Sequence, residues 1–122
     1  MNQDCIFCKI VNGDIPSYKV YEDENVIAFL DVNPESNGHT LIVPKYHYQD
    51  IYDIKDETLQ HILKCAKEIA IKITDRLHCN GFTLQQNNGD IQDVKHFHLH
   101  IKPYYAKQRS EVSLDEIHND LN

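Results

Sequence analysis

Lys95-His96-Phe97-His98-Leu99-His100-Ile101-Lys102-Pro103 is the stretch on which the fold turns. Histidines alternate with Phe97, Leu99 and Ile101, the period of a half-buried β-strand. In a strand, side chains at i, i+2 and i+4 leave by one face. His96, His98 and His100 are therefore expected to form a row, with Phe97, Leu99 and Ile101 pressed into a core behind it. On a helix the same residues would spread around the axis. Pro103 has no N–H for a sheet ladder and is expected to close the strand. Crowded imidazoles repel when charged and each needs a partner when buried. Three on one face thus point to chemistry, either as metal ligands or as a nucleophile with supporting rings. His61, His78 and His118 stand alone and read as ordinary satisfied polar residues.

Working outward, Phe82-Thr83-Leu84-Gln85-Gln86 reads as a strand, and Asn87-Asn88-Gly89-Asp90 as the turn leading into the histidine stretch. Two strands so joined should be antiparallel neighbours. Upstream, Leu59, Ile62, Leu63, Ala66, Ile69, Ala70, Ile73 and Leu77 recur at helical spacing. The helix they predict runs from about Asp56 to Leu77 and ends at Asn80-Gly81. Lys19–Glu22, Val26–Leu30 and His39–Pro44 read as strands separated by turn residues, the last two apolar on both faces. Near the start, Asp4 is the expected cap of a short helix opening at Cys5 and stopping at Gly13. Ser113-Leu114-Asp115-Glu116 has the form of a capping box for a terminal helix. The sum is an α+β fold: about five antiparallel strands, one main helix and a short N-terminal helix.

The 122 residues are expected to form a single domain, with residues 1–105 as its core and 106–122 as a C-terminal tail. Nineteen acidic against twelve basic side chains give a formal charge of −7. Non-specific attraction to nucleic acid or an anionic membrane is not expected of such a chain. No apolar run approaches the ~20 residues of a membrane span, and Met1-Asn2-Gln3-Asp4 opens no secretory signal. A cytoplasmic setting is expected, where Cys5, Cys8, Cys65 and Cys79 stay reduced. Cys65 and Cys79 read as small packing residues.

The motif His96-Phe97-His98-Leu99-His100-Ile101 resembles that of the histidine triad (HIT) family. Further similar segments follow in family order: Cys5-Ile6-Phe7-Cys8-Lys9-Ile10, Ile15-Pro16, Ala28-Phe29-Leu30-Asp31, Gly38–Lys45 and Asn87-Asn88-Gly89. The likeness is to bacterial members of the branch containing the nucleoside phosphoramidases. It implies a homodimer in which two five-stranded sheets join into a ten-stranded one. It also implies a nucleotidyl hydrolase or transferase acting at the α-phosphate of nucleoside 5′-phosphoramidates or related adenylylated compounds. A non-catalytic nucleotide-binding scaffold and a dinucleoside polyphosphate hydrolase are the alternatives.

By that resemblance His98 is the nucleophile, forming a nucleotidyl-histidine that water hydrolyses to a monophosphate, usually AMP. An unperturbed imidazole of pKa ~6.5 is largely neutral and nucleophilic near pH 7. His100 would donate to a phosphate oxygen, and His39 would orient His98. Ile6, Phe7, Ile10, Phe29 and Val32 resemble the residues that sandwich a purine base, with Asp31 on the ribose hydroxyls. Asn87 would reach the ribose or phosphate, and Gln92 and Asp93 the leaving group. No cofactor is expected for catalysis. Three departures stand out: the Gly89–His96 segment is about two residues short, Asp93 replaces the usual Ser, Thr or Glu, and Lys102 interrupts the apolar end of the motif.

Cys5-x-x-Cys8 offers two thiolates at a spacing suited to zinc, and His47 and His96 could complete a tetrahedral set. Some similar bacterial proteins carry such a structural ion. A catalytic metal held by His39, His98 and His100 is the remaining metal reading, with no carboxylate in the motif to act as its base.

Overall fold

The computed structural model describes residues 4–122, with elements in the order α1 (Ile6–Val11), β1 (Lys19–Glu22), β2 (Val26–Leu30), β3 (Thr40–Pro44), α2 (Asp56–Leu77), β4 (Gly81–Gln85), β5 (Leu99–Tyr104) and α3 (Leu114–Leu121). A 3-10 turn at Gly89–Ile91 lies between β4 and β5. The sheet runs β1-β2-β3-β5-β4 with every neighbouring pair antiparallel. It is the five-stranded α+β layout that the alternating and helical periods predict. No helix among the described residues is long and apolar enough to cross a membrane.

Two apolar layers flank the sheet. Val26, Ala28 and Leu30 of β2, Ile42 of β3, and Phe97, Leu99 and Ile101 share one cluster with the buried stripe of α2. Ile27, Phe29, Leu41 and Val43 face the other way and pack against Cys5, Phe7, Cys8 and Ile10 of the α1 segment. Strands buried on both faces account for the unbroken apolar runs in β2 and β3. The register aligns Phe29 with Leu41, and Leu41 with His100. His100 therefore faces the α1 layer, as the period of two requires.

Several boundaries differ from expectation. Cys5, not Asp4, is the α1 N-cap, its sulfur accepting the Cys8 N–H at 3.3 Å. The main helix closes through His78 in the left-handed conformation (φ 58°), whose N–H returns to the Thr74 carbonyl at 3.0 Å. The Asn80-Gly81 signal instead marks the entry to β4. The histidine strand begins at Leu99, because β3 pairs with it only from Ile42–Leu99 to Thr40–Ile101. Ahead of Leu99 the backbone is held by Phe97 N–H donating to the Tyr48 carbonyl at 2.7 Å. Pro103 lies inside β5. Its neighbour Tyr104 turns its carbonyl to Asn80 on the β4 side, so Pro103 faces the side where β3 has ended and its missing donor breaks no ladder bond. The segment beyond residue 105 is more than a tail: α3, capped by Ser113, buries Ile117 and Leu121 in the main cluster.

Candidate active site and metal centre

Each histidine of the row has one ring nitrogen tied down, and the tie decides what the other can do. His98 is 2% exposed and its Nδ1 lies 2.7 Å from the His96 carbonyl. A carbonyl only accepts, so Nδ1 carries the proton and Nε2 the lone pair. Phe7 packs edge-on against the His98 ring, with centroids 5.0 Å apart. Asp93 Oδ1 stands 3.4 Å from His98 Nε2 and also accepts the Val94 N–H.

His100 Nδ1 lies 2.9 Å from His39 Nε2. The Glu35 N–H donates to His39 Nδ1 at 3.1 Å, so neutral His39 carries its proton on Nε2 and donates it to His100. His100 is left with a bare Nδ1 and an N–H at Nε2. Burial lowers the His100 pKa to about 4, helped by the neighbouring His98, His39 and Lys102 and opposed by Asp31. Burial also lowers His39, while the Asp31 carboxylate, 3.6 Å from its Nε2, pulls the other way. Sequence reasoning sets His39 on His98; the structure sets it on His100, because β3 and β5 align Leu41, not His39, with His100, and the His98 partner is the backbone.

Phe7, Ile10 and Phe29 are buried together, Phe7 and Phe29 with centroids 5.7 Å apart. Ile6 and Val32 are exposed at either side of that cluster's sequence segments. Asp31 Oδ1 accepts the Asn33 N–H, which leaves Oδ2 facing His39. Asn87 Oδ1 accepts from Gln85, the register partner of His100. Gln92 gives its amide nitrogen to the Gln49 carbonyl at 2.6 Å, and among the described residues its buried Oε1 has no partner. Glu35 is an addition that sequence reasoning passed over, and Lys102, noted there only as an interruption of the motif, joins it. Lys102 Nζ reaches Glu35 Oε2 at 2.6 Å and Gln85 Oε1 at 3.0 Å. Period two from His100 already places Lys102 on the same face, so the signal was present.

Cys5, Cys8, His47 and His96 converge on one point. Cys5 Sγ and Cys8 Sγ lie 3.3 and 3.5 Å from His96 Nδ1, and His47 Nδ1 lies 3.1 Å from both Cys8 Sγ and His96 Nδ1. Bonds of about 2.0–2.3 Å to a tetrahedral ion put neighbouring donors roughly 3.3–3.8 Å apart, close to this spacing. His96 Nε2 donates to the Pro44 carbonyl at 2.8 Å, which leaves a bare Nδ1 aimed at the sulfurs. That is the outer-shell arrangement of a ligating histidine. Burial holds the His96 pKa down near 4, against the pull of the Pro44 carbonyl. The donor set fits structural zinc. Among the described residues His39, His98 and His100 do not converge as such a set; His39 and His100 converge with Asp31 instead, and His98 stays outside that group. His61 is a satisfied residue, donating to Asp23 Oδ2 at 2.6 Å.

A two-layer sheet carrying buried imidazoles with differentiated nitrogens is the frame of a histidine-triad protein. Residues 12–107 match the HIT domain model, and the chain belongs to that family. It is 44% identical over 117 residues to an uncharacterized HIT-like protein of Methanocaldococcus jannaschii, covering 94% of this chain and 90% of that protein. Adenosine 5′-monophosphoramidase of Schizosaccharomyces pombe is 44% identical over 101 residues, covering 81% of this chain and 73% of that enzyme. Among solved structures, a zinc-bound histidine triad family protein from Mycobacterium smegmatis superposes with a TM-score of 0.90 at 35% identity, covering 97% of this chain and 90% of that one.

Proposed function

We propose that this protein hydrolyses nucleoside 5′-phosphoramidates or related adenylylated compounds at the α-phosphate, releasing a nucleoside monophosphate. The carrying observation is the bond from His98 Nδ1 to the His96 carbonyl, which leaves Nε2 as the one free lone pair on that ring. His98 Nε2 attacks phosphorus, the P–N bond of the substrate, entering with its nitrogen protonated, breaks to release the neutral amine, and a nucleotidyl-histidine forms with its proton kept on Nδ1. His100 Nε2–H donates to a phosphoryl oxygen as charge builds in the transition state. Water then attacks the intermediate, freeing the monophosphate and restoring the imidazole. Phe7, Ile10 and Phe29, with Ile6 and Val32 at the margin, supply the apolar setting for a purine base, and Asp31 a ribose acceptor. Asn87, Gln92 and Asp93 line the approach. The Asp93 carboxylate disfavours polyphosphate leaving groups by repulsion, which supports amine-bearing substrates over dinucleoside polyphosphates.

Zinc held by Cys5, Cys8, His47 and His96 ties α1 to the sheet and takes no part in the chemistry; the zinc-bound relative supports this reading. The chain pairs with a second copy. Leu63 and Ile71 of α2 and Phe82 and Leu84 of β4 are exposed together around a groove of about 540 Å³, beside a strand with one unpaired edge.

The test is AMP release from adenosine 5′-phosphoramidate and from a dinucleoside polyphosphate, with wild type and His98→Ala side by side. Release by wild type alone is expected, faster from the phosphoramidate. Equal release by His98→Ala would remove His98 as nucleophile. No release from either substrate, with AMP still bound tightly, would turn the reading to a nucleotide-binding scaffold.

A further inference from the structure

We infer that Lys102 is a positioning residue, fixing through Glu35 and His39 which nitrogen of His100 faces the phosphoryl group as a donor. The inference rests on the proposed reading of the site and concerns a residue that the triad pattern leaves unexplained.

The links run in one direction. His100 can present an Nε2–H only while its Nδ1 is bare. Nδ1 is bare while His39 Nε2 donates to it at 2.9 Å. His39 carries its proton there because the Glu35 backbone N–H donates to its Nδ1 at 3.1 Å. Glu35 sits in the loop between β2 and β3; the residues after it are tied down by Ser36 Oγ donating to the Pro103 carbonyl at 2.6 Å and Tyr105 Oη donating to the Asn37 carbonyl at 2.7 Å, while the Glu35 side chain itself is 65% exposed. Lys102 completes the hold, at Glu35 itself. Its side chain, 16% exposed, lies on the His100 face of β5 and donates to Glu35 Oε2 at 2.6 Å and to Gln85 Oε1 at 3.0 Å. One ammonium thus clamps the loop to two strands. Neutral imidazole has two tautomers of similar energy, and a relay of two rings keeps one only if its end is fixed.

The surrounding charges act in the same sense. His100 faces His98 on its own strand, His39 and Asp31 from the β2–β3 side, and Lys102 two residues on. Lys102 opposes a proton on both His100 and His39. Asp31 and Glu35 favour one on His39. The clamp therefore holds the relay in one tautomer and its cation keeps it neutral.

The test uses long-range 1H–15N correlation of histidine-labelled protein, which separates a bare ring nitrogen from a protonated one. In wild type at pH 7, His100 is expected to show a bare Nδ1 and a protonated Nε2, and His39 the same. Lys102→Met should mix the tautomers of both rings and raise the His100 titration midpoint; Lys102→Arg should restore them. Glu35→Gln cuts the same ion pair from its exposed end. It should also mix the tautomers, but move His39 titration downward. With adenosine 5′-phosphoramidate, Lys102→Met should lose about twofold or more in kcat at nearly constant KM, because mixed tautomers leave only part of the molecules with an Nε2–H donor on His100.

Single tautomers persisting in both variants overturn the inference, whatever the activity. A raised midpoint without tautomer mixing also overturns it, because Lys102 then acts through its charge alone. If Lys102→Met does not fold, Glu35→Gln decides by the same tautomer readout. Absence of wild-type turnover refutes the proposed function and leaves the tautomer result standing.

Discussion

Acidification tests the buried neutral state of His100 directly. Its pKa is about 4 in the folded protein against an ordinary 6.5, with burial as the main cause. The folded state therefore refuses a proton that the unfolded chain accepts between pH 6.5 and 4. Stability from this group is full above pH 6.5 and is lost as pH falls towards 4. At about 1.4 kcal/mol per pH unit, the loss across that window is about 3 kcal/mol. His100→Asn removes the titration and keeps an acceptor, Oδ1, where His39 Nε2 donates. Urea unfolding at equal protein concentration, for wild type and His100→Asn at pH 7 and pH 4, isolates the effect. His39 also weakens the fold on acidification, as does protonation of any metal ligand; the metal ligands are common to the two proteins, and His39 keeps its burial and its Asp31 neighbour in both. The wild type should lose about 3 kcal/mol more than the variant between the two pH values. Equal losses would refute the claim that burial of His100 sets its pKa, and would place that ring in water.

Three further outcomes are expected. Gly38 has φ +89°, and a Cβ there would stand 2.6 Å from Leu77 Cδ1; Gly38→Ala should destabilise by about 1–3 kcal/mol, visible as a lower Tm, and an unchanged Tm would mean that α2 yields freely at its last turn. Native mass spectrometry of protein from zinc-supplied cells should give one zinc ion per chain and none for Cys8→Ser; a bare wild-type mass removes the structural metal. Light scattering should report a dimer for wild type and a monomer for Ile71→Glu, and a monomeric wild type would leave the α2–β4 patch without its second copy.

The sequence carries face patterns well and long-range partners poorly. The α2 bounds fall where its stripe begins and ends, because a helix of 22 residues repeats its signal through six turns. The row of histidines is also legible, since alternation survives whether or not a ladder forms. The ladder itself is not: β5 starts at Leu99 because its pairing with β3 stops at Ile42, although β3 itself runs on to Pro44 against β2, a fact lodged some sixty residues upstream. The His39–His100 bond spans 61 residues, and the Glu35 N–H belongs to a loop with no motif. Gln92 has a distant partner of the same kind, its amide nitrogen being claimed by the Gln49 carbonyl across the fold. The Cys5–Cys8–His47–His96 grouping was reachable only because Cys-x-x-Cys is local and the family likeness supplied the distant pair.

Three chemically identical rings, spaced two residues apart, are made different by what each second nitrogen meets. His96 gives its Nε2 proton to the Pro44 carbonyl and so turns a bare Nδ1 to two sulfurs. His98 gives its Nδ1 proton to the His96 carbonyl and turns a bare Nε2 outward. His100 receives a proton at Nδ1 and keeps its own at Nε2. The roles proposed above for the three rings, ligand, nucleophile and donor, thus follow from backbone carbonyls and one neighbouring ring, with no change of residue type. Only the third assignment depends on a side chain that can itself change state. His39 holds it through a bond between two neutral rings, so the donor is the part of the site that a single charge nearby, Lys102 or Asp31, can bias. His98, the proposed nucleophile, has its tautomer fixed instead by a backbone carbonyl that cannot donate.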